Sequence, residues 1–447
     1  TYGRVRRFTL AALETAVQQG RLSWQDLVVV DAAPTDIETV VAGVITGTRQ
    51  GELSHINVRS LRRGTPNAYI QNPLPVFETY EGQLVKLVVT SESYQIVSPV
   101  DLAEAEAWWK AHRPQIPPLP VPDDNDATLL SLPYMAKSLD ADTLVRRYGG
   151  KASQLGILYS VMAPRYEGQP DIPILVDGFA IPFHYYTEFM QSNYIPDPKM
   201  SNAMVTLEEY LQGLLEDPQF RSDSVFRRKS LEDFMKYIED YGIVPSAWVD
   251  TIIAKIEEVF GSQSVKVRFR SSSNAEDDVA FNGAGLYDST SVCVADNLDG
   301  DDTGPSLCDP TAKKERTVER GLKRVWASLW NPRAFEEREY YQIEHRNTRM
   351  GVLVSLAYPS EDSNGVAFTG DPAAGRKDYL VINVQKGDES VVQPGTGIIP
   401  EKDIVYLEYG WPSRIQRARP SSLMPAGEWI LSDDQVNELA SLLVDID

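Results

Sequence analysis

A proline-rich segment divides the chain and limits the folds that its 447 residues can adopt. Five prolines fall between Arg113 and Asp123, and each proline removes a backbone hydrogen-bond donor and fixes φ. Such a segment favours extended polyproline II structure and acts as a semi-rigid spacer. We interpret residues 113–128 as a linker, with a surface loop inside one domain as the alternative. The chain is thus predicted to form one domain over residues 1–112 and a larger one over residues 129–447.

The acidic composition argues against some classes of partner. The chain holds 43 basic and 64 acidic residues, which gives a formal charge of −21. Because the long-range field of such a chain repels phosphate, we expect neither nucleic acid nor anionic membranes as general partners. No apolar run approaches the length of a membrane span and no signal peptide is visible. We therefore expect a soluble intracellular protein, in the cytoplasm or in a plastid stroma.

The two cysteines, Cys293 and Cys308, lack C-x-x-C spacing. They suit a reducing compartment, or at most one bridge around the loop between them. We favour free thiols.

The chain opens with Thr1 and not with Met, so we expect processing or trimming upstream, and further domains of the same protein before residue 1 are left open.

Apolar patterns predict alternating strands and helices on both sides of the linker. Before it, short apolar runs such as DLVVVDAAP and VAGVITG are typical of buried strands, and residues 54–63 show helical spacing. After it, YGGKASQLGILYS indicates a glycine turn followed by a helix, and VKVRFRSSSNAEDD a strand followed by a polar loop. These patterns predict a mixed fold of the α/β and α+β classes.

In this second region, a pair of glycines directly precedes a lysine that could bind an anion. Gly149 and Gly150 let the backbone approach a ligand closely, and Lys151 follows at the start of a helix. Helix-start amides and a lysine together can bind anions. The spacing is not that of a Walker P-loop, and an ordinary helix N-terminus is the alternative interpretation of this motif taken alone.

An arginine-containing strand supplies a second set of possible phosphate contacts. Strand alternation places Arg268 and Arg270 on the same face. An arginine at a strand end, followed by serines, can bind a polyphosphate through bidentate contacts and hydroxyl donors, and glycines further on allow a loop to close. The alternative is a solvated hairpin with surface arginines. The candidates in this stretch are Arg270, Ser271, Ser272, Gly283 and Gly285.

Two amide side chains near the C-terminal end are candidate metal ligands. Asn383 and Gln385 alternate onto one face of a predicted strand, with Glu389 just past its end. Mg²⁺ keeps several waters and takes few protein ligands together with nucleotide phosphates. The pattern predicts a Mg²⁺ site at Asn383 and Gln385, with a structural role inside the strand as the alternative.

Taken in order, the motifs of the second region resemble a known superfamily. The set comprises YGGKASQLG, GFAIPFHYYTEFM, VRFRSSSNAEDDVAFNGAG, ASLWNPRAFEERE, NGVAFTGDP and INVQKGDESVV. It is similar to the ATP-grasp nucleotide-binding domain of the dikinases, which include pyruvate phosphate dikinase, phosphoenolpyruvate synthase and the glucan, water dikinases. The resemblance implies two lobes, roughly residues 129–345 and 346–447, with ATP and Mg²⁺ bound between them.

The resemblance also implies roles for individual residues. Lys151 and Arg270 would bind ATP phosphates, and Arg333 would assist them. Asn383 and Gln385 would lie at the metal and phosphate end of the cleft.

The segment GELSHINVRS contains His55 and resembles the histidine motif of the same superfamily, in its glucan-dikinase form. The resemblance implies an N-terminal phosphohistidine swivelling domain that precedes the ATP-grasp domain, as in glucan, water dikinases. Neutral imidazole is a competent nucleophile, and Arg59, one turn further on, would stabilise the transferred phosphoryl charge. The alternative is that Ser54 caps a helix and His55 merely occupies its first turn.

The resemblance implies an ATP-dependent dikinase-type phosphotransferase in which His55 takes the β-phosphoryl group of ATP and passes it to an acceptor. A glucan is the preferred acceptor, and a pyruvate or phosphoenolpyruvate type of dikinase is the alternative. Trp108 and Trp109 could stack on sugar rings or pack on their own core. Two further alternatives are a non-catalytic nucleotide-binding or phosphocarrier module, and one part of a longer enzyme.

Overall fold

A computed structural model provides the fold, and the residues it describes are 1–19, 21–34, 37, 39–49, 60, 64–90, 93–114, 118–162, 175, 177–263, 265–276, 286–301, 303–358, 361–370, 376–387, 389, 391 and 398–447. Four of the candidate site residues, His55, Arg59, Gly283 and Gly285, lie outside this set. Their roles therefore stay predictions.

The chain separates into two compact units. The first consists of Thr1–Ile157 with Asp177–Ser355, and the second of Leu158–Val176 with Leu356–Asp447. The fold is mixed α/β, as the sequence predicts. The proline-rich segment lies inside the first unit, which contains two large sheets, so the structure joins the elements before and after this segment in one unit.

The first sheet has six strands in the order β4-β3-β2-β1-β5-β6. Strands β1 to β4 run parallel, and β5 and β6 extend the sheet antiparallel. Every residue of β2 is buried, which explains the apolar run Leu27–Val30, since a central parallel strand is covered on both faces. The strands are β1 (Tyr2–Phe8), β2 (Asp26–Val30), β3 (Gly43–Thr46), β4 (Asn67–Tyr69), β5 (Leu84–Val89) and β6 (Tyr94–Val97).

Two apolar clusters cover the two faces of this sheet. Val28 and Val30 pack with Leu13 on one side, whereas Leu27 and Val29 join a separate cluster on the other. The helices of this part are α1 (Leu10–Gln18), α2 (Pro73–Val76) and α3 (Leu102–His112).

Helix α3 explains the tryptophan pair that sequence alone left open between sugar stacking and core packing. Trp109 is 4% exposed, its indole Nε1 donates to the carbonyl of Tyr2 at 3.0 Å, and its ring meets that of Trp24 edge-on at 5.1 Å. Trp108 stacks on His112 at 4.1 Å. Packing within the protein therefore accounts for both rings.

The second sheet of the first unit has the order β12-β11-β13-β8-β7, and a separate hairpin pairs β9 with β10. These strands are β7 (Leu130–Ser131), β8 (Gly178–Ile181), β9 (Tyr194–Asp197), β10 (Ala203–Thr206), β11 (Lys266–Ser273), β12 (Thr290–Cys293) and β13 (Met350–Leu356).

The helices around the second sheet enclose the largest apolar core of the described residues, which includes Trp326 and Trp330. The helical stretch breaks just before Pro332, where Asn331 caps the second of two helices by accepting from the amide of Ala334. The helices are α4 (Leu132–Ser138), α5 (Ala141–Tyr148), α6 (Gly150–Met162), α7 (Phe183–Ser192), α8 (Leu207–Glu216), α9 (Pro218–Ser222), α10 (Ser224–Tyr241), α11 (Ser246–Phe260), α12 (Val318–Ser328) and α13 (Pro332–Tyr340).

The second unit contains a four-stranded antiparallel sheet and a helix. The strands follow chain order, from β14 to β17, and the helix packs on one face through Val436 and Ala440. The elements are β14 (Ser363–Phe368), β15 (Tyr379–Lys386), β16 (Glu401–Glu408), β17 (Trp411–Arg419) and α14 (Asp433–Ile446). Among the described helices of the whole chain, none is both long and apolar enough to cross a membrane.

The cysteines differ from the preferred expectation of free thiols. Cys293 and Cys308 form a disulfide with a Cα–Cα distance of 5.8 Å. The structure adopts the alternative of one bridge. The loop between the two cysteines folds back and brings their Cα atoms within the distance range of a disulfide.

Candidate functional site

The glycine turn (Gly149 and Gly150) and the serine run (Ser271, Ser272 and Ser273) meet at one end of the second sheet. Gly149 has φ of +81°, and a Cβ atom at this position would lie 2.0 Å from the carbonyl oxygen of Ser272. The hydroxyl of Ser272 donates to the carbonyl of Tyr148 at 2.6 Å and accepts from the amide of Ala152 at 3.0 Å. The glycine is therefore required by the close approach of this turn to strand β11, which fixes the start of helix α6 against the strand.

Lys151 points to the end of strand β11. Its ammonium donates to the hydroxyl of Ser271 at 3.2 Å and forms an ion pair with Glu276. The side chain of Glu276 is fully buried, whereas that of Lys151 is 31% exposed. The lysine charge is thus held beside the serine run and remains accessible to a ligand.

Glu276 is a site residue that sequence reasoning missed. It lies inside the quoted stretch SSSNAEDD, and its carboxylate also approaches the hydroxyl of Ser271 and the amide of Ser273, both at 3.5 Å. A buried carboxylate needs a cationic partner, so an acidic residue shortly after a strand of this kind could have suggested a structural partner for Lys151.

The alternation predicted for β11 is confirmed. Val267 and Phe269 are fully buried, while Arg270 is exposed and Arg268 is partly buried. Arg268 Nη1 donates to the hydroxyl of Ser291 on the neighbouring strand at 3.2 Å. Of the two arginines, Arg270 therefore presents the more accessible guanidinium, and it directly precedes the serine that contacts Lys151.

Arg333 lies in the first turn of helix α13 and is partly buried. The same helix carries Arg338, which is fully buried and donates to the carbonyl of Leu329 at 2.7 Å and to the hydroxyl of Tyr287 at 3.1 Å. Arg338 anchors the helix in the core and so defines where Arg333 emerges from it.

The two predicted metal ligands belong to strand β15 of the second unit, where they share one face and differ in burial. Gln385 is fully buried, and its Oε1 accepts from the hydroxyl of Ser421 at 2.6 Å and from the amide of Lys386 at 2.9 Å. Asn383 is partly exposed. The oxygen of Gln385 is thus engaged in holding the sheet, so the chemistry of a metal ligand is better supplied by Asn383.

A family model describes most of the chain. Residues 145–447 match the model of the pyruvate phosphate dikinase, AMP/ATP-binding domain. The matched stretch is more than half of the chain and includes the glycine turn, the serine run and strand β15.

Curated relatives agree with this match. A phosphoenolpyruvate synthase of Pyrococcus furiosus is 27% identical over 209 residues, which cover 42% of this chain and 23% of that protein. A probable phosphoenolpyruvate synthase of Pyrococcus abyssi is 23% identical over 336 residues, which cover 66% of this chain and 37% of that protein. A phosphoenolpyruvate synthase of Aeropyrum pernix is 35% identical over 101 residues, which cover 22% of this chain and 12% of that protein.

The aligned region thus spans well under half the length of these relatives. All three of these relatives carry the name phosphoenolpyruvate synthase. The match over residues 145–447 supports the predicted place of the chain among the dikinases: the chain belongs to the family of the pyruvate phosphate dikinase, AMP/ATP-binding domain.

Proposed function

We propose that this chain is the nucleotide-binding part of an ATP-dependent dikinase whose acceptor chemistry is of the pyruvate and phosphoenolpyruvate type. The observation that carries the proposal is the position of Lys151. Its partly exposed ammonium lies against Ser271 and Glu276 at the end of β11, inside the stretch that matches the family model.

This end of the sheet has the groups that a polyphosphate requires. Lys151 and Arg270 supply two positive charges on a chain whose net charge is −21, and the start of helix α6 presents backbone amides with the positive end of its dipole. Catalysis of phosphoryl transfer depends mostly on positioning and charge neutralisation. In this proposal Lys151 and Arg270 bind the phosphates, and Arg333 assists from helix α13.

The metal part of the proposal rests on Asn383. A Mg²⁺ ion bound with ATP would neutralise phosphate charge and orient the transferred group. Asn383 offers a partly exposed amide oxygen for such an ion, and Gln385 positions the strand that carries it.

The phosphoryl acceptor within the chain is proposed to be His55, with Arg59 stabilising the charge of the phosphoryl group. The domain organisation proposed with it is a phosphohistidine domain over residues 1–112, a linker over 113–128 and an ATP-grasp domain over 129–447. Phospho-His55 would then donate to a small-molecule acceptor. The phosphoenolpyruvate synthases among the relatives support this acceptor class, and a glucan acceptor has no such support.

The experiment that tests the proposal follows labelled ATP. The chain is incubated with Mg²⁺ and ATP labelled at the β-phosphate or at the γ-phosphate, and protein-bound label is tested for lability in acid and stability in base. We expect label from the β-phosphate only, and we expect the variants His55→Ala, Lys151→Met and Arg270→Ala to lose it. Addition of pyruvate or a soluble glucan to the labelled chain then identifies the class of acceptor.

Matched variants keep the result interpretable. Lys137→Met and Arg228→Ala remove the same charges from helices α4 and α10, at positions with no proposed role in ATP binding, and should retain full labelling. Binding of ATP without any labelling would refute the dikinase reaction in favour of a nucleotide-binding module. Full labelling of Arg270→Ala would refute the proposed ATP site but not the dikinase reaction.

A further inference from the structure

The segment between strand β12 and helix α12 carries a group of carboxylates away from the serine run. Asp299, Asp301 and Glu315 each present an oxygen atom, and these three atoms lie within 4.8 Å of one another. Asp299 and Asp301 are exposed, whereas Glu315 is 4% exposed. Three carboxylates this close repel one another unless a cation or a shared proton lies among them.

Glu315 is the member of this group whose environment requires an explanation. Its Oε2 is buried and has no hydrogen-bond donor among the described residues. A buried carboxylate oxygen without a partner is costly, and coordination to a metal ion is one of the few ways to offset that cost.

A neighbouring buried carboxylate shows what a purely structural role looks like in the same loop. Asp296 is fully buried, and its two oxygens accept from the amides of Leu307 and Arg316, both at 2.7 Å. Asp296 therefore holds the two ends of the loop together. Glu315 takes no part in that network through its side chain.

Two arginines follow this cluster in the chain, and each holds another group. Arg316 forms an ion pair with Asp309 at 2.6 Å. Arg320 donates to the backbone carbonyl of Glu315 at 3.2 Å. One carboxylate oxygen of Glu315 lies within 4.8 Å of an oxygen of Asp299 and of an oxygen of Asp301.

The loop also has the residue pattern of a calcium-binding turn. Such loops place oxygen ligands at alternate positions 1, 3 and 5 and a glycine at position 6. Here Asp299, Asp301 and Thr303 occupy the alternate positions and Gly304 follows with φ of +105°, a conformation that favours glycine. The distal carboxylate comes from Glu315, further along the chain than the last ligand of a standard loop.

We propose that Asp299, Asp301 and Glu315 form a binding site for a divalent cation of the calcium type, separate from the nucleotide. Ca²⁺ accepts carboxylates in flexible geometry, whereas Mg²⁺ requires near-ideal octahedral coordination and retains more of its waters. Two exposed aspartates on a surface turn suit the larger ion. Bound there, the cation joins the turn to the segment that leads into helix α12.

The test is a calcium titration of the full chain without nucleotide, after removal of metal ions with EGTA. Isothermal titration calorimetry should show one saturable site with a Kd between roughly 10⁻⁶ and 10⁻³ M, and CaCl₂ should raise the melting temperature. The variant Glu315→Gln and the double variant Asp299→Asn/Asp301→Asn should each bind at least about tenfold more weakly. Asp288→Asn, which removes the same charge from an exposed pair with Arg324, should bind as the unmodified chain does.

A second readout separates a metal ligand from a residue that only supports the loop. In EGTA, Glu315→Gln should melt at the same temperature as the unmodified chain or higher, because it removes repulsion between carboxylates. A lower melting temperature in EGTA together with unchanged calcium affinity would overturn the proposal. So would the absence of binding at calcium concentrations above about 10⁻³ M, and equal affinity for MgCl₂ would overturn the assignment to calcium.

Discussion

The hydroxyl of Ser23 donates a hydrogen bond of 2.7 Å to Oε2 of Glu336, although 313 residues separate them in the sequence. Oε1 of the same carboxylate accepts from Nε of Arg227 at 2.7 Å, and Arg227 also reaches the hydroxyl of Ser23 at 3.3 Å. All three side chains are buried. They connect the six-stranded sheet to helices α10 and α13 and thus hold the two parts of the first unit together.

Breaking this contact should loosen the first unit. Glu336→Ala leaves the guanidinium of Arg227 buried without its carboxylate, so we expect the free energy of unfolding to fall by about 3–5 kcal/mol. Ser23→Ala removes the hydrogen bonds of that hydroxyl with Glu336 and Arg227 and should cost about 1–3 kcal/mol. Urea denaturation measures both. Glu232→Ala, which removes an exposed carboxylate of helix α10, should cost less than about 1 kcal/mol, and an equal loss in Glu336→Ala would contradict the role of the contact.

Lys151 and Glu276 allow folding and ligand binding to be separated. Lys151→Met leaves the buried Glu276 without its cation, and we expect a loss of about 1–3 kcal/mol in the free energy of unfolding. Adding Glu276→Gln removes the stranded charge and should restore most of that stability, while ATP binding stays lost. Chemical denaturation and calorimetric titration with ATP measure the two effects. Recovery of ATP binding in the double variant would refute a direct contact between Lys151 and phosphate.

Arg417 supports two fully buried carboxylates in the second unit. Its Nη1 lies 3.5 Å from Glu401 and 3.3 Å from Asp403, and burial raises the pKa of Asp403 above its ordinary value. Arg417→Ala should therefore lower the free energy of unfolding by about 3–5 kcal/mol at neutral pH. Differential scanning calorimetry would show this as an earlier transition. Arg414→Ala, on the exposed face of the same strand, serves as the control, and an equal shift in that variant would contradict the prediction.

Asp26 should make stability depend on pH. Burial raises the pKa of its carboxyl to about 7. The charge of Glu336 also raises this pKa, whereas the charges of Arg6 and Arg227 lower it. The folded state thus holds the proton more tightly than the unfolded state, whose carboxyl titrates near 3.8. The contribution to stability is complete below pH 3.8 and is lost as the pH rises to about 7.

The Asp26→Asn variant tests this dependence. Urea denaturation at several pH values between the two pKa values should show the free energy of unfolding falling by up to about 1.4 kcal/mol per pH unit in the unmodified chain. The slope should flatten in Asp26→Asn and persist in Asp250→Asn, which changes an exposed carboxyl of helix α11. An unchanged slope in Asp26→Asn would assign the pH dependence to other groups.

The disulfide between Cys293 and Cys308 closes a loop with a sequence separation of 15. Loss of a crosslink of this length should lower the free energy of unfolding by about 3 kcal/mol, because the unfolded chain regains conformational freedom. Melting with and without dithiothreitol measures the effect. The double variant Cys293→Ser/Cys308→Ser should melt early in both conditions, and a reductant effect that persists in it would place the sensitivity elsewhere.

Local features of this protein could be predicted because they depend on neighbouring residues. The alternation of Val267 and Phe269 with the arginines of β11, the break at Pro332 and the helix after Gly149 all follow from backbone geometry and short-range periodicity. The candidate Lys151 could be found in the same way, since a glycine turn and a helix start are visible in a few consecutive letters. The contact of Lys151 with the serine run could be expected only from the family resemblance, because the fold brings these two distant segments together.

The partners of buried charges were decided by the tertiary structure alone. The pairing of Glu276 with Lys151 and the contact of Ser23 with Glu336 join residues that lie far apart in the sequence, and no local pattern specifies which charges become buried together. Burial makes an unpaired charge costly, so packing selects these partners after the elements have formed. Local sequence patterns predicted several strands and helices and the phosphate-binding candidates, whereas packing in three dimensions selected the partners of the buried carboxylates.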